Sequence, residues 1–497
     1  MKFTSTRGQE KNGVSAAYAI KTGLASDGGL FMPEEFPTIT KEELHELMAL
    51  PYEVRAAKIL SKFLTDYTYD ELLADASAAY SSEKFPGGAA PVTKIRDGHY
   101  MLELWHGPTC AFKDMALQIM PRLFVRALKK CTEEREALIL VATSGDTGKA
   151  ALEGYRDVPG TKIKVFYPID GVSRVQKLQM QTTEGKNVSV EGIVGNFDDA
   201  QSGVKAIFAD SALADKLSEG GVFLSSANSI NWGRLVPQIV YYVSAYCDMV
   251  RDGYVKMGEE IDVCVPTGNF GNIFAGFIAK KMGLPIGKLV CASNKNNVLT
   301  EFLSTGVYDK NRSFFATTSP SMDILISSNL ERLLYTLFGS EVTAKYMRSL
   351  NAEGRYELSG EELAAINESF VGYDTDEDLT AKTIYDTYKN TNCLIDTHTA
   401  VAVSAAERFM EDYKTERRML TVSTASPYKF AADVYRAVSG NEPSGDLEAL
   451  FELQGYTGVS IPSPIADIKD RRVLHTDVID KREMKESVVR FALETKN

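Results

Sequence analysis

The chain has 497 residues, 44% of them hydrophobic and 25% charged, and a formal net charge of −12. That length exceeds a single hydrophobic core and predicts roughly two to four domains. The acidic balance argues against a nucleic-acid or anionic-membrane binder, both of which need basic surface, but leaves room for a locally positive pocket that takes a small anion. No run reaches the roughly 18 apolar residues needed to span a bilayer, and the segment from Met1 to Gly8 lacks the apolar core of a secretory signal.

Six cysteines (Cys110, Cys131, Cys247, Cys264, Cys291, Cys393) are scattered without a C-x-x-C pair, so reduced thiols and a cytoplasmic setting are expected. The five histidines have no metal-ligand spacing, and no metal site is expected.

In chain order, residues 1 to about 90 read as helical and irregular. Thr40 is an N-cap for the amphipathic segment starting at Lys41, and further helices run from Tyr52 to Phe63 and from Tyr69 to Ala79. Phe85-Pro86-Gly87-Gly88 marks a boundary. A helix is expected from Met115 to Lys130, with Pro121 kinking it or removing one of its hydrogen bonds. Leu138–Ala142, Lys162–Tyr167, Val188–Val194, Ile261–Val265, Lys288–Ala292 and Met419–Val422 are short apolar runs of buried-strand type, several followed by a Gly-rich turn and a helix. That alternation predicts doubly wound α/β architecture, with ligands at the carboxyl ends of the strands. The expected division is a helical/irregular N-terminal part over 1–90, an α/β domain over 91–250 and a second α/β domain over 251–497 with a C-terminal extension. A helix-rich stretch from about Met322 to Tyr388 covers part of the sheet, and 438–460 reads as a loop.

Three loops carry chemistry. Lys113 stands where the small-residue loop His106–Phe112 enters a helix. Partial desolvation and the positive end of the helix dipole should lower its amine pKa from about 10.4 and suit it to Schiff-base chemistry. Taken alone, it reads as a solvated first-turn lysine. The second loop, Thr143-Ser144-Gly145-Asp146-Thr147-Gly148, offers N–H groups and hydroxyls to a carboxylate or phosphate, or is an ordinary capped turn. In the third, Thr267-Gly268-Asn269-Phe270-Gly271-Asn272, the glycines permit a backbone wrap around a phosphate. It is neither G-x-G-x-x-G nor a Walker loop, so neither a dinucleotide nor a nucleoside triphosphate is favoured. A reactive lysine, a phosphate cradle and a carboxylate cradle are together what a pyridoxal-phosphate amino-acid enzyme needs.

At these residues the chain resembles a known family. His106-Gly107-Pro108-Thr109 with Ala111-Phe112-Lys113-Asp114 is similar to the pyridoxal-lysine motif of the threonine synthase family, and the Ser144–Gly148 and Gly268–Asn272 loops resemble its substrate and cofactor-phosphate loops. Ser5–Gly8, Asp27–Leu30, Asn228–Arg234, Ser319–Ile324 and Ser423–Ala425 extend the likeness in order along nearly the whole chain. One departure is Ser426-Pro427-Tyr428-Lys429-Phe430, where the family often has His-Pro-Ala-Lys-Phe.

The resemblance implies fold-type-II architecture, with pyridoxal 5′-phosphate in a cleft between two α/β domains. It implies conversion of O-phospho-L-homoserine and water to L-threonine and phosphate by γ-elimination and β-addition. Lys113 would then hold the cofactor and act as base at Cα; Gly268, Asn269, Phe270 and Asn272 would bind its phosphate, and Thr424 would face the pyridine nitrogen. Ser144, Asp146 and Thr147 are candidates for substrate binding, Asp146 serving either near the cofactor ring or as a helix cap. Arg234, with Ser319 and Ser321, is a candidate second anion site, or else Arg234 sits in a structural ion pair. The rival readings are another fold-type-II lyase or dehydratase and a non-catalytic homologue that binds the cofactor or a phospho-ligand. No oligomeric state is read from the sequence.

Overall fold

The computed structural model describes residues 1–9, 12–143, 145–170 and 172–493. The apolar runs form two sheets. In the first, strands lie in the order Val478–Asp480, Val188–Val194, Thr161–Pro168, Glu136–Ala142, Val222–Ser225, all parallel. In the second the order is Phe370–Asp374, Ile286–Ser293, Ile261–Pro266, Arg418–Ser423, His99–Glu103, Val92–Arg96, parallel except for the last pair. Thr161–Pro168 and Ile261–Pro266 are buried along their whole length, as befits parallel strands covered on both faces. The chain is therefore an α/β protein with parallel sheets.

This topology positions the chemistry. The loops bearing Lys113, Asp146, Asn269 and Thr424 follow the carboxyl ends of His99–Glu103, Glu136–Ala142, Ile261–Pro266 and Arg418–Ser423. Three of these strands are neighbours in the six-stranded sheet and one is in the five-stranded sheet.

The N-terminal helices Lys41–Met48, Tyr52–Phe63 and Tyr69–Ala79 form where the periodicity places them. Thr40 and Thr68 each close a capping box, with Glu43 and Glu71. Tyr52–Phe63 buries Ala56, Ile59, Leu60 and Phe63 and packs on the long helix Trp232–Arg251, whose Trp232 is enclosed by Phe3 and Phe63. Thr6 and Arg7 bind Glu331 at the start of helix Leu330–Glu353, a helix broken at Gly339.

Several expectations change. The segment after Lys113 is two helices, Asp114–Leu117 and Met120–Lys130; Pro121 sits in the first turn of the second, where no N–H is needed. The stretch 322–388 is helix-rich as expected, but it also carries the edge strand Phe370–Asp374 and the strand Arg355–Glu357, which pairs with Val307–Asp309. The expected loop 438–460 contains the helix Glu448–Thr457.

Candidate active site

Lys113 ends a loop that is zipped onto the segment following strand Arg418–Ser423. Phe112 N–H donates to the Thr424 carbonyl at 2.8 Å, and Ser426 N–H donates to the Cys110 carbonyl at 3.0 Å. Cys110 takes a left-handed conformation (φ 58°), uncommon for a residue other than Gly, Asn or Asp, to make this turn. Asp114 locks the loop from beneath, its carboxylate accepting from Thr109 N–H and Thr109 Oγ1, both at 2.8 Å. A Cβ at Gly107 would stand 2.6 Å from Asp114 Oδ2, so only glycine fits there. Burial pushes the Asp114 carboxyl up to about 7.

The Lys113 side chain is buried, and its Nζ donates to Ser321 Oγ at 3.1 Å and lies 3.4 Å from Asp146 Oδ2. Burial, with Arg234 and Lys429 acting in the same direction, pulls the amine down to about 8 against the attraction of Asp146. The expected fall is present, but desolvation is its main source; the following helix has only four residues and little dipole.

Asp146 opens helix Asp146–Tyr155. Burial raises its pKa, but Lys429 and Lys113 outweigh that and hold it well below the carboxylate range. Its Oδ1 accepts from Gln176 Nε2 at 2.9 Å and lies 2.8 Å from Lys429 Nζ. Thr143 Oγ1 accepts from the N–H groups of Gly145 and Gly148, fixing the turn. Thr147 is in the first helical turn, where N–H groups have no intrahelical acceptor. Ser144 lies outside the described residues.

Ser321 is held by a buried pair. Its N–H donates to His398 Nε2 at 3.1 Å, and His398 Nδ1 lies 2.9 Å from Asp396 Oδ2. A backbone donor at Nε2 requires the tautomer with its proton on Nδ1, directed at Asp396. Ser319, by contrast, is enclosed with Asn294 and Thr317.

The loop from Thr267 to Asn272 precedes helix Gly271–Lys281, with Phe270 in the left-handed region (φ 62°). A Cβ at Gly268 would stand 2.7 Å from the Ser321 carbonyl. The Asn269 carbonyl accepts from Asn329 N–H at 3.1 Å and from Asn329 Nδ2 at 2.8 Å, and the Gly268 carbonyl accepts from Ser327 Oγ at 2.7 Å. Behind Asn329 the buried Arg332 donates to the carbonyls of Phe31, Ser229 and Ile230. Tyr241 and Tyr242 both donate to Asn272 Oδ1 at 2.6 Å, which leaves the buried Asn272 Nδ2 without a partner among the described residues. An unmet buried amide costs about 1–3 kcal/mol, so a ligand acceptor suits this loop.

Arg234 is buried in the first turn of Trp232–Arg251. Its Nη1 donates to the Ala227 carbonyl at 2.8 Å, and it has no ion pair among the described residues; burial pulls it down to about 10, with only Tyr155 opposing. The structural ion pair considered for it is therefore not present there. An enclosed guanidinium without a counter-ion suits an anionic ligand.

A sequence profile described as threonine synthase N terminus matches residues 2–80, and one described as threonine synthase, C-terminal, matches residues 399–478. The curated threonine synthase of Pseudomonas aeruginosa is 36% identical over 477 residues, covering 94% of this chain and 97% of that protein. The chain belongs to the threonine synthase family. A crystal structure described as PLP-bound threonine synthase from Brucella melitensis is similar at TM-score 0.87 and 36% identity, covering 99% of this chain and 100% of that one. The structure of threonine synthase from yeast is similar at TM-score 0.88 and 30% identity, covering 99% and 98%.

At the departure from the pattern expected of threonine synthases, Tyr428 is buried in one apolar cluster with Cys110, its hydroxyl donating to the Val459 carbonyl. Ser426 Oγ accepts from Tyr428 N–H at 3.3 Å and caps the turn Pro427–Phe430. Sequence reasoning passed over Lys429, Gln176, His398, Asn329, Tyr241 and Tyr242 as parts of the site. Lys429 alone carried a signal, lying inside a quoted motif; the others are tied to it by contacts distant in sequence. Among the described residues no cluster of His, Cys, Asp or Glu could hold a metal ion, and no helix is long and apolar enough to cross a membrane.

Proposed function

We propose that this chain is a pyridoxal-phosphate-dependent threonine synthase, converting O-phospho-L-homoserine and water to L-threonine and phosphate. The observation that carries this reading is the convergence on the buried Lys113 amine of Asp146, Ser321 and the Arg234 field, beside a glycine loop whose Asn272 amide lacks a partner among the described residues. These groups fit the cofactor. Lys113 would hold it covalently, and the backbone of Gly268, Asn269 and Phe270 with the Asn272 side chain would hold its phosphate. Thr424, whose carbonyl is already fixed by Phe112 N–H, would face the pyridine nitrogen. When bound, the cofactor supplies an electron sink for carbanionic character at the substrate's α- and β-carbons.

The protein's own groups do the rest. With its pKa lowered to about 8, the Lys113 amine is neutral far more often near neutral pH than a free lysine and can accept the proton from substrate Cα. Ser321 Oγ, in contact with Lys113 Nζ, orients that amine. The N–H groups of the Asp146–Thr147 turn, with Ser144, would bind the substrate α-carboxylate. Arg234 would bind the phosphate that leaves from Cγ, balancing its charge as the bond breaks. A hydroxyl at Thr424 would not favour a protonated ring nitrogen as a carboxylate would, and so would restrain transamination. The free thiols among the described cysteines fit a reducing, cytoplasmic setting.

The test is turnover of O-phospho-L-homoserine by the purified holoenzyme. Threonine and phosphate should appear in equal amounts, with one solvent oxygen at Cβ, and unphosphorylated homoserine should react far more slowly. Ammonia release from serine or threonine at a comparable rate would identify a dehydratase instead.

A further inference from the structure

Lys429 lies in the turn Pro427–Phe430 with its side chain fully enclosed. Its ammonium group is 2.8 Å from Asp146 Oδ1 and donates to the Thr109 carbonyl at 2.9 Å and to Gln179 Oε1 at 3.0 Å. Three acceptors match its three N–H bonds. Lys113 meets the same carboxylate on its other oxygen, at the longer 3.4 Å, and has one hydroxyl acceptor, Ser321. Two buried ammonium groups thus share one carboxylate. Every N–H of Lys429 thus has an acceptor, whereas the Lys113 charge is buried with only one hydroxyl and the more distant carboxylate oxygen.

We infer that Lys429 is a positioning residue of this site, which holds Asp146 as its own ion pair and so leaves the Lys113 amine free to lose its proton. The groups facing Lys113 are Asp146 from helix Asp146–Tyr155, Ser321 from the turn Pro320–Met322, Arg234 from helix Trp232–Arg251 and Lys429 itself. Of these only Asp146 is negative, and Lys429 and Gln176 occupy its Oδ1, the oxygen that Lys113 does not contact. Without Lys429, the full carboxylate charge would act on Lys113 and keep it protonated. This role presupposes Lys113 as the cofactor lysine.

The measurement is the rate at which the cofactor-free full-length chain captures added pyridoxal phosphate, followed by growth of the visible absorption band from pH 6 to 10. Parent protein should show a midpoint near 8. Lys429→Gln, which keeps a donor but loses the charge, should raise the midpoint by about one unit or more, and Lys429→Arg should bring it back. Asp146→Asn should lower it, and the double variant Asp146→Asn with Lys429→Gln should return toward the parent value. An unmoved midpoint in Lys429→Gln overturns the role. If that protein does not fold, a double variant indistinguishable from Asp146→Asn alone overturns it equally. Borohydride reduction of the same samples separates the two levels. Label on another lysine removes the premise, whereas label on Lys113 with an unmoved midpoint removes only the role of Lys429.

Discussion

Single side chains in this site are tuned by what they lack as much as by what they touch. Arg234 is enclosed with one backbone carbonyl and no counter-ion among the described residues, an arrangement that costs stability unless an anion completes it. Arg234→Ala should therefore lower kcat/KM for O-phospho-L-homoserine by roughly 10- to 150-fold, the equivalent of about 1.5–3 kcal/mol for a charged hydrogen bond. It should leave the visible band of the bound cofactor unchanged. Equal losses on phosphorylated and unphosphorylated substrate would place Arg234 outside the phosphate site.

At the level of elements, other segments grip the carbonyls of the loop proposed to take the cofactor phosphate. Asn329 bonds Asn269 and is itself bonded by Arg332. Asn329→Ala should raise the cofactor dissociation constant by about 5- to 30-fold through loss of one or two net hydrogen bonds, with a smaller effect on kcat at saturating cofactor. An unchanged dissociation constant would show that the loop holds its shape unaided. The loop itself was legible in the chain, because glycines between an apolar run and a helix are a local signal. So were Lys113 and Asp146, each at such a turn. Asn329, Tyr241, Tyr242 and His398 were not, because their partners lie between 30 and 77 residues away and no local pattern records them. The strand Phe370–Asp374 escaped because it is short, half-exposed and carries Gly372 at an edge. The helix Glu448–Thr457 escaped because Gly445 and Gly455 read as loop signals.

Across the whole molecule, segments far apart in the chain share each sheet. Strands from 92–103 join those from 261–423, and Val478–Asp480 joins those from 136–225. A composition-based boundary near 90 or 250 therefore does not say which sheet a strand enters. This interleaving lets four strand ends converge on one buried amine, at a cost to stability. In the cofactor-free protein the folded-state pKa of Lys113, about 8, lies below the unfolded value of about 10.4. The unfolded chain binds more protons between those values, so stability should rise with pH through that window and carry the full penalty below it. Lys113→Met should be more stable than the parent at pH 7 by about 3 kcal/mol at most, and the gap should close towards pH 10. Urea denaturation of both cofactor-free proteins at the two pH values measures this, and a gap that widens with pH would contradict the burial argument.

Every role in this site depends on which lysine carries the cofactor. Borohydride reduction of the holoenzyme, followed by proteolysis and mass spectrometry, should bleach the visible band and place a single pyridoxyl group on Lys113. A pyridoxyl group on Lys429, on any other lysine, or on none would contradict it.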